Sequence, residues 1–384
     1  MNLWRKLLRN TPTAAAIVTF FLCSSYAQSS PHYLIANNDN SQGNSASFYT
    51  VNADGSLTEA AVVSTGGTGL DGIGAVVTRR VNVLSSSTQS CAFVSNGGSS
   101  NVAAILIPSL TLAGTFHGGK GDSGAGGNIG LANNVKFLYA SFIGSKTIAT
   151  YQILSGCKLR FIRDVSAAGL SGGNMLDMAA HGNILVASFN DGSIGSFNIA
   201  HGAPLSNRDL QFSTAHMQDS NPIGGVDISA DGHFALLGNV FNPLVEVSDI
   251  SSGKLTPTVV YRNIGTGSDS NSLWLAPNGT TLYVGNFFSG QVTAASFDPT
   301  TGVVSGGCTS NFLSGNNFTS ELATATQQGT GSPLYVAEAD RNIGIVDVNV
   351  ESGACSLTEQ LDSPVNDPNT ETLESVTAFP PRAF

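Results

Sequence analysis

A short apolar strand recurs seven times along this chain: Tyr33–Asn37, Ala92–Asn96, Leu138–Phe142, Leu185–Phe189, Ala235–Asn239, Leu282–Asn286 and Leu334–Glu338. Successive copies end 59, 46, 47, 50, 47 and 52 residues apart, a period that belongs to stacked supersecondary units. Most copies continue through a polar turn into an alternating strand, as in Ala46–Val51, Asn101–Leu106, Thr147–Gln152, Ser193–Asn198, Val292–Phe297 and Ile343–Val348. A hairpin with Gly or Pro follows, as at 52–55, 251–254, 298–302 and 351–353, and another strand begins after it. A further short strand and tight turn precede each anchor, most legibly in 226–232 and 273–279. Each repeat is therefore read as a four-stranded antiparallel sheet. Such a sheet has two apolar faces and cannot cover both alone. Stacking the sheets round an axis buries every face against a neighbour. The expectation is an all-β, seven-bladed β-propeller of four-stranded antiparallel blades.

The first copy starts at His32 with no inner strand before it, whereas Glu374–Pro380 repeats the inner-strand pattern of Asn271–Pro277. The C-terminal strand is thus expected to complete blade one and close the ring, removing the open edges. Cys91 falls at the start of a strand in blade two, Cys157 in a hairpin of blade three, and Cys308 and Cys355 in the outer strands of blades six and seven. Four cysteines allow three pairings. Joining Cys91 to Cys157 and Cys308 to Cys355 would rivet neighbouring blades. No CxxC or CxxH spacing favours metal over disulfides.

The N-terminus reads as an address. Arg5, Lys6 and Arg9 precede an apolar run from Ala14 to Leu22, and Ser25-Tyr26-Ala27 offers a cleavage site before Gln28. Residues 1–27 are read as a signal peptide and 28–384 as a single propeller domain. Bulky Phe20, Phe21 and Leu22 before Cys23 argue against lipidation, and the run is too short to span a bilayer. The chain has 16 Lys+Arg, three of them in the leader, against 26 Asp+Glu. That balance, without any basic run, excludes nucleic acid as a partner. The expectations are a secreted, periplasmic or extracellular monomer without a membrane span, whose partner is a small molecule or an envelope protein.

Tyr283–Asp298, YVGNFFSGQVTAASFD, resembles the repeat of the lactonase and 6-phosphogluconolactonase-like propellers and their surface-layer relatives, whose core is YV-x-N-x-x-S-x-x-V. Asp231-Gly232 and Asn278-Gly279 match the turn of that repeat, and the likeness runs over roughly residues 32–380. The Trp-Asp repeat propellers are a poor match, since Trp4 and Trp274 are the only tryptophans. The resemblance implies a seven-bladed ring and a hydrolase acting on a cyclic ester at the central funnel. Where those lactonases carry an Arg-His pair opening an inner strand, this chain has Asn271-Ser272 and Gly224-Gly225, and the family's His-Pro and Leu-Gly-x-Asp-Arg motifs are absent.

Loops leading into inner strands converge on one mouth of a propeller and supply its site candidates. Here they carry Asp71, Asp122, Asn128, Asn174, Asp269, Asn271, Glu321 and Glu374. Glu321 and Glu374 belong to blades seven and one, neighbours once the ring closes. Two such carboxylates could split their pKa values and act as acid and base, or bind a divalent cation. The bland alternative is two solvated loop carboxylates. His117 and His216, in loops leading towards inner strands, are the candidate general bases, with surface-loop histidines as the alternative. His181 and His233 fall in hairpin turns at the opposite mouth and are expected to face solvent. Gly118–Gly127 lacks the spacing of a phosphate loop and reads as a connection between blades, and 37–43 lacks calcium-loop spacing. Asn278-Gly-Thr280 and Asn317-Phe-Thr319 are glycosylation sequons. Two functions fit: a lactonase-like hydrolase, or a non-catalytic propeller that binds a ligand or an envelope protein.

Overall fold

Adjacent residues of a β-strand point to opposite faces, and blade one shows what this chain does with that rule. In the computed structural model, Phe48 enters the apolar cluster between blades one and two, while its neighbour Tyr49 enters the cluster between blades seven and one. The structure describes residues 32–70, 83–86, 88–119, 130–134, 136–167, 173–200, 206–212, 222–262, 264, 267, 269–311, 313, 319–324, 333–350, 355–373 and 375–382. These form seven antiparallel sheets of four strands each, the seventh extended by the short strand Val365–Asn366. Seven apolar clusters lie among them, one between each pair of neighbouring blades. Every sheet face is thus covered by the next sheet.

Ring closure follows the sequence reading. Ser375–Phe379 pairs antiparallel with Tyr33–Asn37, from Tyr33 opposite Phe379 to Asn37 opposite Ser375, and so becomes the inner strand of blade one. Val83 and Ser85 of blade two tie this strand to its other neighbour. The Val83 N–H donates to Ser375 Oγ at 3.0 Å, and the Ser85 hydroxyl donates to the Ala378 carbonyl.

The Asn that ends several anchor strands is structural. Asn96 Nδ2 donates to Asn101 Oδ1 at 2.7 Å, and Asn286 Nδ2 to Thr293 Oγ1 at 3.1 Å. Asn239 Oδ1 accepts the backbone N–H groups of Phe241 and Asn242 at 3.2 and 3.1 Å. Each amide satisfies groups that the turn into the third strand would otherwise bury unpaired.

Two disulfides join neighbouring blades, Cys91 to Cys157 and Cys308 to Cys355, each with Cα atoms 5.6 Å apart. Such bonds suit an oxidising compartment rather than the reducing cytosol. Among the described residues no helix is long and apolar enough to cross a membrane. The Cys91–Cys157 bridge spans a sequence separation of 66 residues. Constraining a loop of that length in the unfolded chain is worth about 4 kcal/mol. A Cys91→Ala/Cys157→Ala variant should lose about that much in denaturant unfolding; a loss below about 1 kcal/mol would show that the bridge adds little.

Candidate functional site in the central channel

The inner strands follow one another round the axis, each in contact with the next. Carboxylates and close glycine packing stitch three of them together. Asp177, on the inner strand Met175–His181 of blade four, accepts the Met178 N–H at 2.8 Å and reaches across to the Val226 N–H of blade five at 2.9 Å. Asp227, on Ile223–Ile228, repeats the device one blade on. It accepts the Ile228 N–H at 2.8 Å and the Leu275 N–H of blade six at 2.7 Å. Each carboxylate occupies the N–H groups that an inner strand would otherwise expose to the channel. Gly224 and Gly225 serve the same approach. A Cβ on Gly224 would lie 2.4 Å from the Asn271 carbonyl oxygen, and one on Gly225 would lie 2.7 Å from the Leu273 nitrogen. Glycine at these positions lets blade six come within hydrogen-bond reach, and the Gly225 N–H donates to the Asn271 carbonyl at 2.6 Å. No side chain can replace it there.

The channel holds a cavity of about 390 Å³ lined from the inner strands of all seven blades. Its polar lining includes Asp177, Asp227, Glu321, His181, Asn133 and Thr377, and its apolar lining includes Trp274 and Met178. Arg382, just beyond the closing strand, folds back into it. Its Nη1 donates to Asp227 Oδ2 at 2.6 Å and to the Leu275 carbonyl at 2.8 Å, and its Nη2 pairs with Asp227 Oδ1. The guanidinium also lies 4.5 Å from the centre of the Trp274 ring, a cation–π arrangement. His181 packs on the turn of blade five, where a Cβ on Gly232 would come within 2.6 Å of the imidazole. Burial lowers the His181 pKa, the nearby Arg382 charge lowers it further, and Asp231 opposes both. Burial and the neighbouring guanidinium thus both favour the uncharged imidazole.

Of the residues singled out from sequence, Glu321 lines this cavity. It pairs with Ala337, next to the last anchor residue, the same rung that Asp177 holds in blade four opposite Ser188. Asp269 and Asn271 are fully buried and hold loops instead. Asp269 accepts the N–H groups of Phe287 and Phe288 at 2.8 and 3.1 Å, while the Asn271 backbone bonds Gly285 and Gly225. The Asn174 backbone N–H donates to Asn190 Oδ1 at 2.8 Å. His117 ends the outer strand Thr111–His117 of blade two, exposed and opposite Asn101, and does not line the cavity. Asp71, Asp122, Asn128, His216 and Glu374 lie outside the described residues. Among the described residues no three His, Cys, Asp or Glu side chains converge as metal ligands.

Sequence reasoning missed Asp177, Asp227, Trp274, His181 and Arg382. His181 was expected to face solvent, yet it is half-buried in the lining. The available signal was a carboxylate inside an apolar inner strand, as in Leu176-Asp177-Met178 and Val226-Asp227-Ile228. A charge there has to be held by something.

Neither the known protein families nor the curated proteins contain a match to this sequence. Solved structures do match in shape. A provisionally assigned 6-phosphogluconolactonase from Bacteroides fragilis superposes with a TM-score of 0.64 at 15% identity, covering 92% of this chain and 99% of that one. By fold, the chain is a seven-bladed β-propeller. A functionally unknown protein from Desulfotomaculum acetoxidans gives a TM-score of 0.62 at 12% identity, over 85% of this chain and 98% of that one. The periplasmic gluconolactonase of Pseudomonas aeruginosa gives 0.54 at 17% identity, over 73% of this propeller and 82% of its own chain. At such identities the likeness is one of fold, and chemistry has to be argued from the channel.

Proposed function

We propose that this chain is an exported lactonase-like hydrolase, cleaved after residue 27 and monomeric, that opens a small cyclic ester in its central channel. The observation that carries the proposal is the axial cavity, which is lined by a carboxylate, an imidazole and a guanidinium from separate blades. Its volume of about 390 Å³ lies within the range of about 300–1,000 Å³ usual for small-ligand pockets. Glu321 and His181 are the groups that would take a proton from water as it attacks the ester carbonyl. Arg382 would offset the charge developing on the carbonyl oxygen. The structural neighbours from Bacteroides fragilis and Pseudomonas aeruginosa carry lactonase names, which agrees with this substrate class.

The test is a lactone panel, with and without added divalent cation, on the wild type and on Glu321→Gln and His181→Asn. Turnover should fall about 100-fold or more in the variant that lacks the base. If His181 is that base, the acid limb of the pH profile should lie below the ordinary histidine value of 6.5, because its pKa is lowered and proton uptake removes the base. One observation favours a second reading. Gly224-Gly225 stands where the lactonases carry an Arg-His pair, and the packing against Asn271 forbids a side chain. Binding of a ligand or an envelope protein without turnover of any lactone would make this a non-catalytic binding propeller.

A further inference from the structure

Arg382 is held as a ligand is held, by groups that do not depend on it for their own position. Asp227 lies on Ile223–Ile228 of blade five, and Trp274 and Leu275 lie on Ser272–Leu275 of blade six. One backbone N–H fixes each carboxylate oxygen of Asp227, that of Ile228 on Oδ1 at 2.8 Å and that of Leu275 on Oδ2 at 2.7 Å. Trp274 and Leu275 are registered against Tyr283 and Leu282 of the anchor strand, and Trp274 packs on the apolar cluster between blades six and seven. A carboxylate, a carbonyl and an aromatic face therefore stand ready on two rigid inner strands, with Asp227 and Leu275 buried. Together they match one chemical group. A guanidinium is planar, offers paired N–H groups to a carboxylate and lays a flat face on a ring. Arg382 uses all of this: Nη1 and Nη2 each take one oxygen of Asp227, Nη1 also reaches the Leu275 carbonyl at 2.8 Å, and the guanidinium carbon lies 4.5 Å from the centre of the Trp274 ring. The element that delivers it is separate. Pairing of the closing strand ends at Phe379, and Pro380 and Pro381 carry the chain from there to Arg382. Such a tether supplies local concentration.

We propose that Asp227, Trp274 and the Leu275 carbonyl form a guanidinium-binding site that Arg382 fills in cis, and that the site takes an alkylguanidinium from solution once that side chain is withdrawn. Arg382 is then an intramolecular occupant of the channel and competes with any free ligand of the same chemistry. The inference goes beyond lactone turnover and needs only binding. A latch that merely ties the closing strand to blades five and six makes a different prediction: removing Arg382 weakens it, and nothing added in solution restores it.

The experiment is rescue from solution. In a chain that starts at Gln28, Trp274 is the only tryptophan, so its fluorescence reports on the site directly. Arg382→Ala keeps Cβ and removes the rest of the side chain, a gap that ethylguanidinium matches atom for atom. Ethylguanidinium chloride should change the Trp274 emission of this variant saturably, with half-saturation on the order of millimolar for so small a ligand. At saturation it should raise the thermal midpoint by about 2 °C or more. Ethylammonium, which lacks the planar fork, should bind about tenfold more weakly or worse. The wild type, its site already filled by a tethered side chain, should need about tenfold more ethylguanidinium or show no response. The chain ending at Pro380 is the second variant and should respond as Arg382→Ala does. If either variant unfolds without a cooperative transition, ethylguanidinium should restore one. No saturable response in either variant, an equal response to ethylammonium, or an equal response in the wild type would overturn the assignment and leave Arg382 a latch. Because no lactone is present, none of these outcomes bears on whether the channel hydrolyses one.

Discussion

Removing residues 368–384 should abolish cooperative thermal unfolding, because it takes away the strand that closes the ring. Ser375–Phe379 forms the inner strand of blade one, and its loss strips Tyr33–Asn37 of a full set of partners. Leu373, Val376 and Phe379 are buried, the first two in the cluster between blades seven and one and the third in that between blades one and two. Burying one such side chain stabilises by about 1.5–3 kcal/mol, so three are worth about 5–9 kcal/mol before any hydrogen bond is considered. Whole domains are stable by only about 5–15 kcal/mol. The truncated chain is therefore left with an exposed edge, two uncovered sheet faces and little net stability. A chain ending at Pro380 provides the control, since it keeps the strand while losing the Arg382 contacts. It should still unfold cooperatively, at a lower temperature. Calorimetry on both decides the matter, and an unchanged transition in the shorter chain would sink the closure.

The ring was legible because a propeller writes the same local instruction seven times. Alternation in Ala46–Val51 or Val292–Phe297 shows a sheet covered on both faces, and the orphan pattern at 374–380 shows where the missing strand comes from. The blade map offered one of three pairings as a rivet between neighbouring blades, and the structure forms that one, Cys91 to Cys157 and Cys308 to Cys355. The channel was far less legible. Its lining comes from seven strands roughly fifty residues apart, and what each side chain meets depends on the neighbouring blade. Asp269 shows the difficulty: it sits in a loop approaching an inner strand, as a site residue would, yet its carboxylate is spent on two backbone N–H groups. Gly224-Gly225 shows it from the other side. The pair reads as a missing motif, whereas the structure gives it a packing role that any side chain would block. Arg382 was invisible for a third reason: beyond the last strand no periodicity says which way the chain turns. Glu321 alone among the described candidates met the cavity, on a rung whose blade-four counterpart is a strut.

That duality of strut and site makes Asp227 the residue whose replacement should cost most stability of any single side chain in the channel. Its side chain is 4% exposed and that of Arg382 is 16% exposed, so their ion pair is largely withdrawn from water. Asp227→Ala leaves the guanidinium with the Leu275 carbonyl and the Trp274 ring, and leaves the Ile228 and Leu275 N–H groups without their acceptor. Breaking a buried pair from one side costs about 3–5 kcal/mol. Arg382→Ala is the milder change, because the carboxylate it abandons still accepts two backbone N–H groups. Denaturant unfolding should therefore rank Asp227→Ala well below Arg382→Ala. The double variant should lie close to Asp227→Ala alone, since the residues share one interaction and their effects are not additive. Equal losses in the two single variants, or additive losses in the double, would mean that the pair contributes as two independent surface charges and that the inner strands are held together without it.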